Sequence, residues 1–222
     1  MLSCCGGFFY SLVIPNGKPY DVMGIQYTNA KIHWNYFLAI ERDFEIVTRF
    51  IEPCEENNDV FSVELARIIM AATQEVDVVM KALCKLMVSG NTYDGINQYL
   101  PTIAQHEPGF LQEEVRTPRF GMSSKPWGDW SSNAAPLWWT ANNKIKHTRG
   151  EHFNKATLKN GYNSLAALLL TTAYYYRAEK LKDDGSATWW DVTDDLHLGA
   201  KLFQLNENYY RPTTISWTAT EW

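Results

Sequence analysis

Apolar residues return at three- and four-residue steps through most of the chain, the spacing of one buried helical face. The first stripe starts after Ala30 and runs Trp34, Phe37, Leu38, Ile40, Phe44, Val47 and Ile51, with Pro53 to stop it. The second is the clearest: Phe61, Leu65, Ile68, Ala72, Val76, Val79, Leu83 and Leu86. Asn58 or Asp59 is placed to cap it and Gly90 to end it. A shorter helix is expected over residues 93–104, weakened by Pro101. From 106 to 136 the period is lost and prolines accumulate. That predicts a long ordered loop, a β-hairpin near 115–120, and Trp127 and Trp130 holding the loop down. Pro136 suits the first turn of a helix reaching about Ile145. Residues 156–180 carry another strong stripe: Leu158, Tyr162, Leu165, Leu169 and Ala173. Beyond it, 183–195 reads as a polar loop enclosing Trp189 and Trp190, 196–205 as a short helix, and 213–222 as a strand or tail.

These elements predict an all-α fold, an antiparallel bundle of four to five helices with a long ordered loop and a small hairpin. Residues 1–28, punctuated by Gly6, Gly7, Pro15, Gly17 and Pro19, read as a leader or short strand. Residues 29–182 read as the bundle, and 183–222 as a loop, short helix and tail packed on it.

The totals narrow the function classes. A chain of 222 residues supports one ordinary core, and 45% apolar with 20% charged residues is a globular composition. The net charge of −5 argues against a protein that coats nucleic acid nonspecifically, so any such contact has to be local. No apolar run reaches the ~20 residues of a membrane span, and no basic region precedes the apolar residues at the N-terminus. Cys4, Cys5, Cys54 and Cys84 match no zinc or redox spacing and read as reduced thiols of a cytoplasmic protein. Asp191, Asp194 and Asp195 lack a histidine at ligand spacing, so neither a metal nor another cofactor is expected.

One segment stands apart. Between 141 and 160, Lys144, Lys146, Arg149, Lys155 and Lys159 face a single acid, Glu151, in an otherwise acidic chain. On a helix Asn143 and His147 share a face, with Asn142 and Lys146 beside them. A neutral His147 imidazole has the chemistry to accept a proton from a ribose hydroxyl. Lys146 and Arg149 could hold a phosphate or its developing charge. The competing reading is a solvated helix end whose cations complement the dipole. Glu75 and Asp77 interrupt the apolar second helix, either as its solvent face or as a carboxylate that orients the basic turn. His33 reads as structural and His152 as a surface residue.

The spacing Asn142-Asn143-x-x-x-His147 between two long helices resembles the higher eukaryotes and prokaryotes nucleotide-binding (HEPN) domain. The wider pattern is similar to a group of bacterial proteins of HEPN-like character. It comprises His33-Trp34-Asn35-Tyr36-Phe37, Glu64-Leu65-Ala66-Arg67, Glu75-Val76-Asp77 and the run Trp138 to Arg149, and covers about residues 27–176. The resemblance implies a dimeric, metal-independent endoribonuclease of toxin–antitoxin or phage-defence systems, with an antitoxin as a further partner. Its motif, Arg-polar-x-x-x-His, meets its copy across the dimer. Carried over, it makes His147 and Asn143 catalytic; the basic cluster adds Arg149 to them if the turn folds it back, and Asn142, Lys144 and Lys146 as RNA- or nucleotide-binding groups. The motif arginine is replaced here by Asn142, and no arginine stands four to six residues before His147. A second reading is therefore a non-catalytic interaction or dimerisation module, using exposed tryptophans such as Trp127 and Trp130 together with the long loop.

Overall fold

Among the described residues, six α-helices and a small antiparallel sheet form from these segments. The computed structural model describes residues 30–131, 134–196 and 202–212. The expected leader at 1–28 and the strand or tail at 213–222 lie outside the described residues. The chain divides into two units after Ala30, and the helices and the sheet all belong to the second, Lys31–Trp222.

Helix α1 (Ile32–Val47) buries Trp34, Phe37, Ile40, Phe44 and Val47. It stops well before Pro53, in a tightened turn where the Phe50 N–H donates to the Val47 carbonyl at 2.9 Å. Phe50 points into solvent there. Helix α2 (Val63–Met87) is the centre of the fold and buries two faces rather than one stripe: Leu65, Ile68, Ala72, Val76 and Val79, and also Ala66, Ile69, Met80 and Cys84. Its cap is Ser62, not Asn58 or Asp59. Ser62 Oγ accepts from the Leu65 N–H at 3.1 Å, while Glu55–Asn57 is taken up by a 3₁₀ turn. Phe61, expected inside, is half exposed because it lies ahead of the cap, bridged to Thr157.

Helix α3 (Ile96–His106) begins three residues later than expected and runs on past Pro101. The loop after it carries β1 (Val115–Thr117) and β2 (Met122–Ser124), joined through a 3₁₀ turn that ends at Gly121, whose φ of 64° suits glycine. The hairpin pairs Val115 with Ser124 and Thr117 with Met122. A third strand, β3 (Gln204–Leu205), pairs antiparallel on the other side of β1. The fold is thus mainly α with a three-stranded sheet, not all-α. The helix expected over 196–205 is replaced by strand at 204–205, and residues 197–201 lie outside the described residues. Two buried backbone amides, those of Leu202 and Phe203, donate to the Glu41 carboxylate at 3.0 Å each, which ties this segment to α1.

Helix α4 (Leu137–His152) is followed by α5 (Leu158–Asp184), whose cap Thr157 accepts from the Asn160 N–H at 3.2 Å. The largest helix–helix contact is between α2 and α5, and α1 and α4 pack on both. At Gly161 a Cβ would stand 3.0 Å from Leu65 Cδ2, so the small residue permits the approach of these helices. Residues 189–195 are helix α6 (Trp189–Asp195), not loop, because Thr188 and Asp191 form a reciprocal capping box. Trp189 packs edge-on against Tyr174 and Tyr209. No helix among the described residues is long and apolar enough to cross a membrane.

Candidate functional site

The basic segment is helical rather than a turn, which decides where each of its side chains goes. Helix α4 continues through His147 and kinks at Thr148, whose φ of −139° and ψ of 52° are non-helical. The helix is anchored from below. Ile145 is fully buried in a small cluster with Ala66, Ile69 and Ala156, and the Trp138 indole N–H donates to the Pro126 carbonyl at 2.7 Å.

Two grooves flank this helix. The first, of about 650 Å³, lies between α2, the start of α3 and α4. Trp139, Asn142, Asn143 and Lys146 line it from α4, and Met70, Thr73, Gln74 and Asp77 from α2. Both sets step i, i+3, i+4, i+7, so one face of each helix looks into the same space. Residues 94–98 close its end. The second groove, of about 510 Å³, is lined from α4 by Leu137, Thr140, Ala141 and Lys144, again one face. Lys155 and Lys159 join Lys144 there, against one acid, Asp59.

Three expected residues, Asn142, Asn143 and Lys146, therefore meet in the first groove, and Lys144 faces the second. His147 is exposed and lines neither. At about 100° per residue it falls on the crest between the two α4 faces, pointing away from the core. Arg149 lies beyond the kink and folds back, its Nη2 donating to Met70 Sδ at 3.6 Å, at the edge of the first groove. Lys144, Lys146, Arg149, Lys155 and Lys159 make no ion pair among the described residues.

The floor of the first groove is polar and unsatisfied. Thr73 is 2% exposed and its hydroxyl has no hydrogen-bond partner among the described residues. Asn142 is 9% exposed and its carboxamide likewise makes no hydrogen bond among the described residues. Asp77 Oδ1 accepts from the Tyr99 hydroxyl at 2.7 Å. Burial, and then that carboxylate, push the Tyr99 phenol well above its ordinary range, so it stays a donor. Asp77, not Glu75, is thus the carboxylate that shares space with the basic segment. Glu75 turns the other way and bonds His33 Nδ1 at 2.5 Å, with Tyr175 edge-on to the imidazole, in keeping with a structural role for His33.

Trp127 and Trp130, expected at an exposed docking surface, are instead buried at 0% and 4% exposure and cannot form one. Their rings pack against each other, and Trp127 meets Trp138 edge-on inside the loop. Trp138 and Trp139, adjacent on α4, are both buried. The acids of α6 are engaged by cations: Asp195 by Lys180, and Asp191 and Asp194 by Arg211. Thr73, Gln74, Asp94, Asn97 and Gln98 join the site without a motif to mark them. The one signal for the first two is the polar 73/74/77 spacing alongside the apolar face of α2.

Compared with protein-family models, curated proteins and solved structures, the chain gives no match.

Proposed function

We propose that this protein is a HEPN-like helical bundle that engages single-stranded RNA or a nucleotide across α4. The observation that carries the reading is the division of polar groups around that helix. Asn142, Asn143 and Lys146 converge on one groove, Lys144 with Lys155 and Lys159 on the other, and these cations make no ion pair among the described residues. A strand laid over α4 gains phosphate contacts on both sides, which gives local affinity in a chain of net charge −5.

Cleavage is the sharper form of the proposal. His147 stands on the outer crest, so general acid–base catalysis requires a second copy to bring a substrate ribose, or the partner's own groups, against it. The homodimer that the HEPN resemblance implies would do this, in a stress or phage-defence setting. Arg149 and Lys146 would then stabilise the phosphate charge, with Asn143 orienting the nucleotide.

Fluorescence anisotropy with a labelled single-stranded RNA tests the binding reading. Affinity should fall steeply with salt and fall again in Lys144→Ala/Lys146→Ala. No binding at low salt would remove it. Incubation of wild type and His147→Ala with the same RNA in EDTA tests cleavage, which is lost as a claim if both act equally or neither acts.

A further inference from the structure

The interior of the first groove is poorly suited to a phosphate, which leaves the backbone contacts to its mouth. Among the described residues Lys146 is the one cation lining it, and Asp77 and Asp94 oppose it. What the groove offers instead is a set of neutral hydrogen-bonding groups and a carboxylate acceptor beside an indole. Thr73 Oγ1 is buried at its floor with no partner among the described residues, and the Asn142 carboxamide, which makes no hydrogen bond among them either, keeps its polar atoms within reach of solvent. Trp139 forms part of its wall, and Asp77, whose Oδ1 takes the Tyr99 hydroxyl and whose Oδ2 lies 3.8 Å from Lys81 Nζ, retains further lone pairs to accept with. A buried hydroxyl without a partner costs a protein stability. A buried orphan hydroxyl and an open, unbonded carboxamide lining one accessible groove are explained if a ligand completes them.

We infer that this groove is a nucleobase pocket selective for bases carrying an exocyclic amino group, that is adenine, cytosine or guanine over uracil. A carboxamide can donate to and accept from one base edge at once, as asparagine does with adenine. The Asp77 carboxylate only accepts, and an exocyclic amine gives it a donor that uracil does not have. Trp139 offers apolar and π surface to the ring. With the base there, its phosphates emerge toward Lys146 and Arg149 at the mouth. This inference deepens the RNA-engaging reading and rests on it for the attached chain, but the pocket itself can be tested with free nucleosides.

Saturation-transfer NMR with adenosine, cytidine, guanosine and uridine, each unphosphorylated, is the experiment, run on wild type, Thr73→Val and Asn142→Leu. At least one amino-bearing nucleoside should bind saturably and about tenfold more tightly than uridine. Both substitutions should weaken it by about tenfold. Thr73→Val also removes an orphaned hydroxyl while keeping shape, so the free protein's Tm should rise by about 3 °C. That pairing of gained stability with lost binding is not produced by a misfolded variant. Equal binding of all four nucleosides, binding indifferent to both substitutions, or binding of a polyamine such as spermidine in place of nucleosides would overturn the inference. If RNA still binds in those cases, the broader reading stands without it. If nucleosides bind as described and RNA does not, the pocket stands and the RNA reading falls.

Discussion

Arg149 reaches back over the kink at Thr148 to place its Nη2 3.6 Å from Met70 Sδ. The contact joins the far end of α4 to α2 at the edge of the first groove, and it returns a guanidinium to the neighbourhood of Lys146. Since Arg149 is exposed, Arg149→Ala should leave Tm within about 2 °C of wild type, as surface changes usually do. RNA affinity should fall about threefold to tenfold, with a shallower salt dependence. Thermal melts beside anisotropy titrations separate the two effects, and an unchanged affinity would dissociate Arg149 from the site.

Trp127 serves the core and not a partner. Its ring is fully buried against Phe110, Trp130 and Trp138. Trp127→Ala should cost about 3–5 kcal/mol, measured by urea unfolding. A variant of wild-type stability that had lost only a binding partner would instead favour an interaction surface there.

Alkaline pH should weaken the fold in a defined window. Burial pushes the Tyr162 phenol and the Cys84 thiol up to about 12. Tyr99, Tyr174, Tyr175 and Tyr209 are raised too, each first by burial. The unfolded chain releases these protons near pH ~9–10, where the folded chain retains them. Folded protein then binds more protons than unfolded, so stability falls as pH rises. Unfolding free energy should be flat for these groups below about pH 8, with the Cys84 thiol the first to contribute. It should then drop from about pH 10 toward 12 by about 1 kcal/mol per pH unit for each well-buried tyrosine. Urea titrations at about pH 8, 10 and 11 check this, and the share of tyrosinate absorbance that belongs to the buried phenols should appear together with unfolding rather than ahead of it.

The helices were legible where one apolar face decides the structure. The positions of α1, α2 and α5 follow from Phe37, Val76 and Leu165 and their neighbours, because burial at helical spacing has few alternatives. What the periodicity hid was set by polar groups acting at a distance. Glu41 reads as a surface acid but accepts two amides from residues 202 and 203, far along the chain. Thr188 and Asp191 turn a polar stretch into α6 by local capping. The basic segment was visible as charge, yet the kink at Thr148 and the two-sided display of Asn142 and Lys144 depend on what α2 and α5 present opposite them. His147 illustrates the limit best. Spacing marks it as a candidate, but only packing reveals that it stands on a crest, while Thr73, inconspicuous in an apolar helix, faces the groove.

RNA binds, on the reading proposed, across α4, in the groove it shares with α2 and the start of α3 and in the groove it shares with residues 154–160. Hydrogen–deuterium exchange of the full chain, with and without saturating single-stranded RNA, measures this most directly. The expected result is protection concentrated in peptides covering 70–77, 94–98, 137–149 and 154–160, with the buried loop around Trp127 unchanged. Saturating RNA that leaves those segments unprotected, or protects a different face of the molecule, would contradict it.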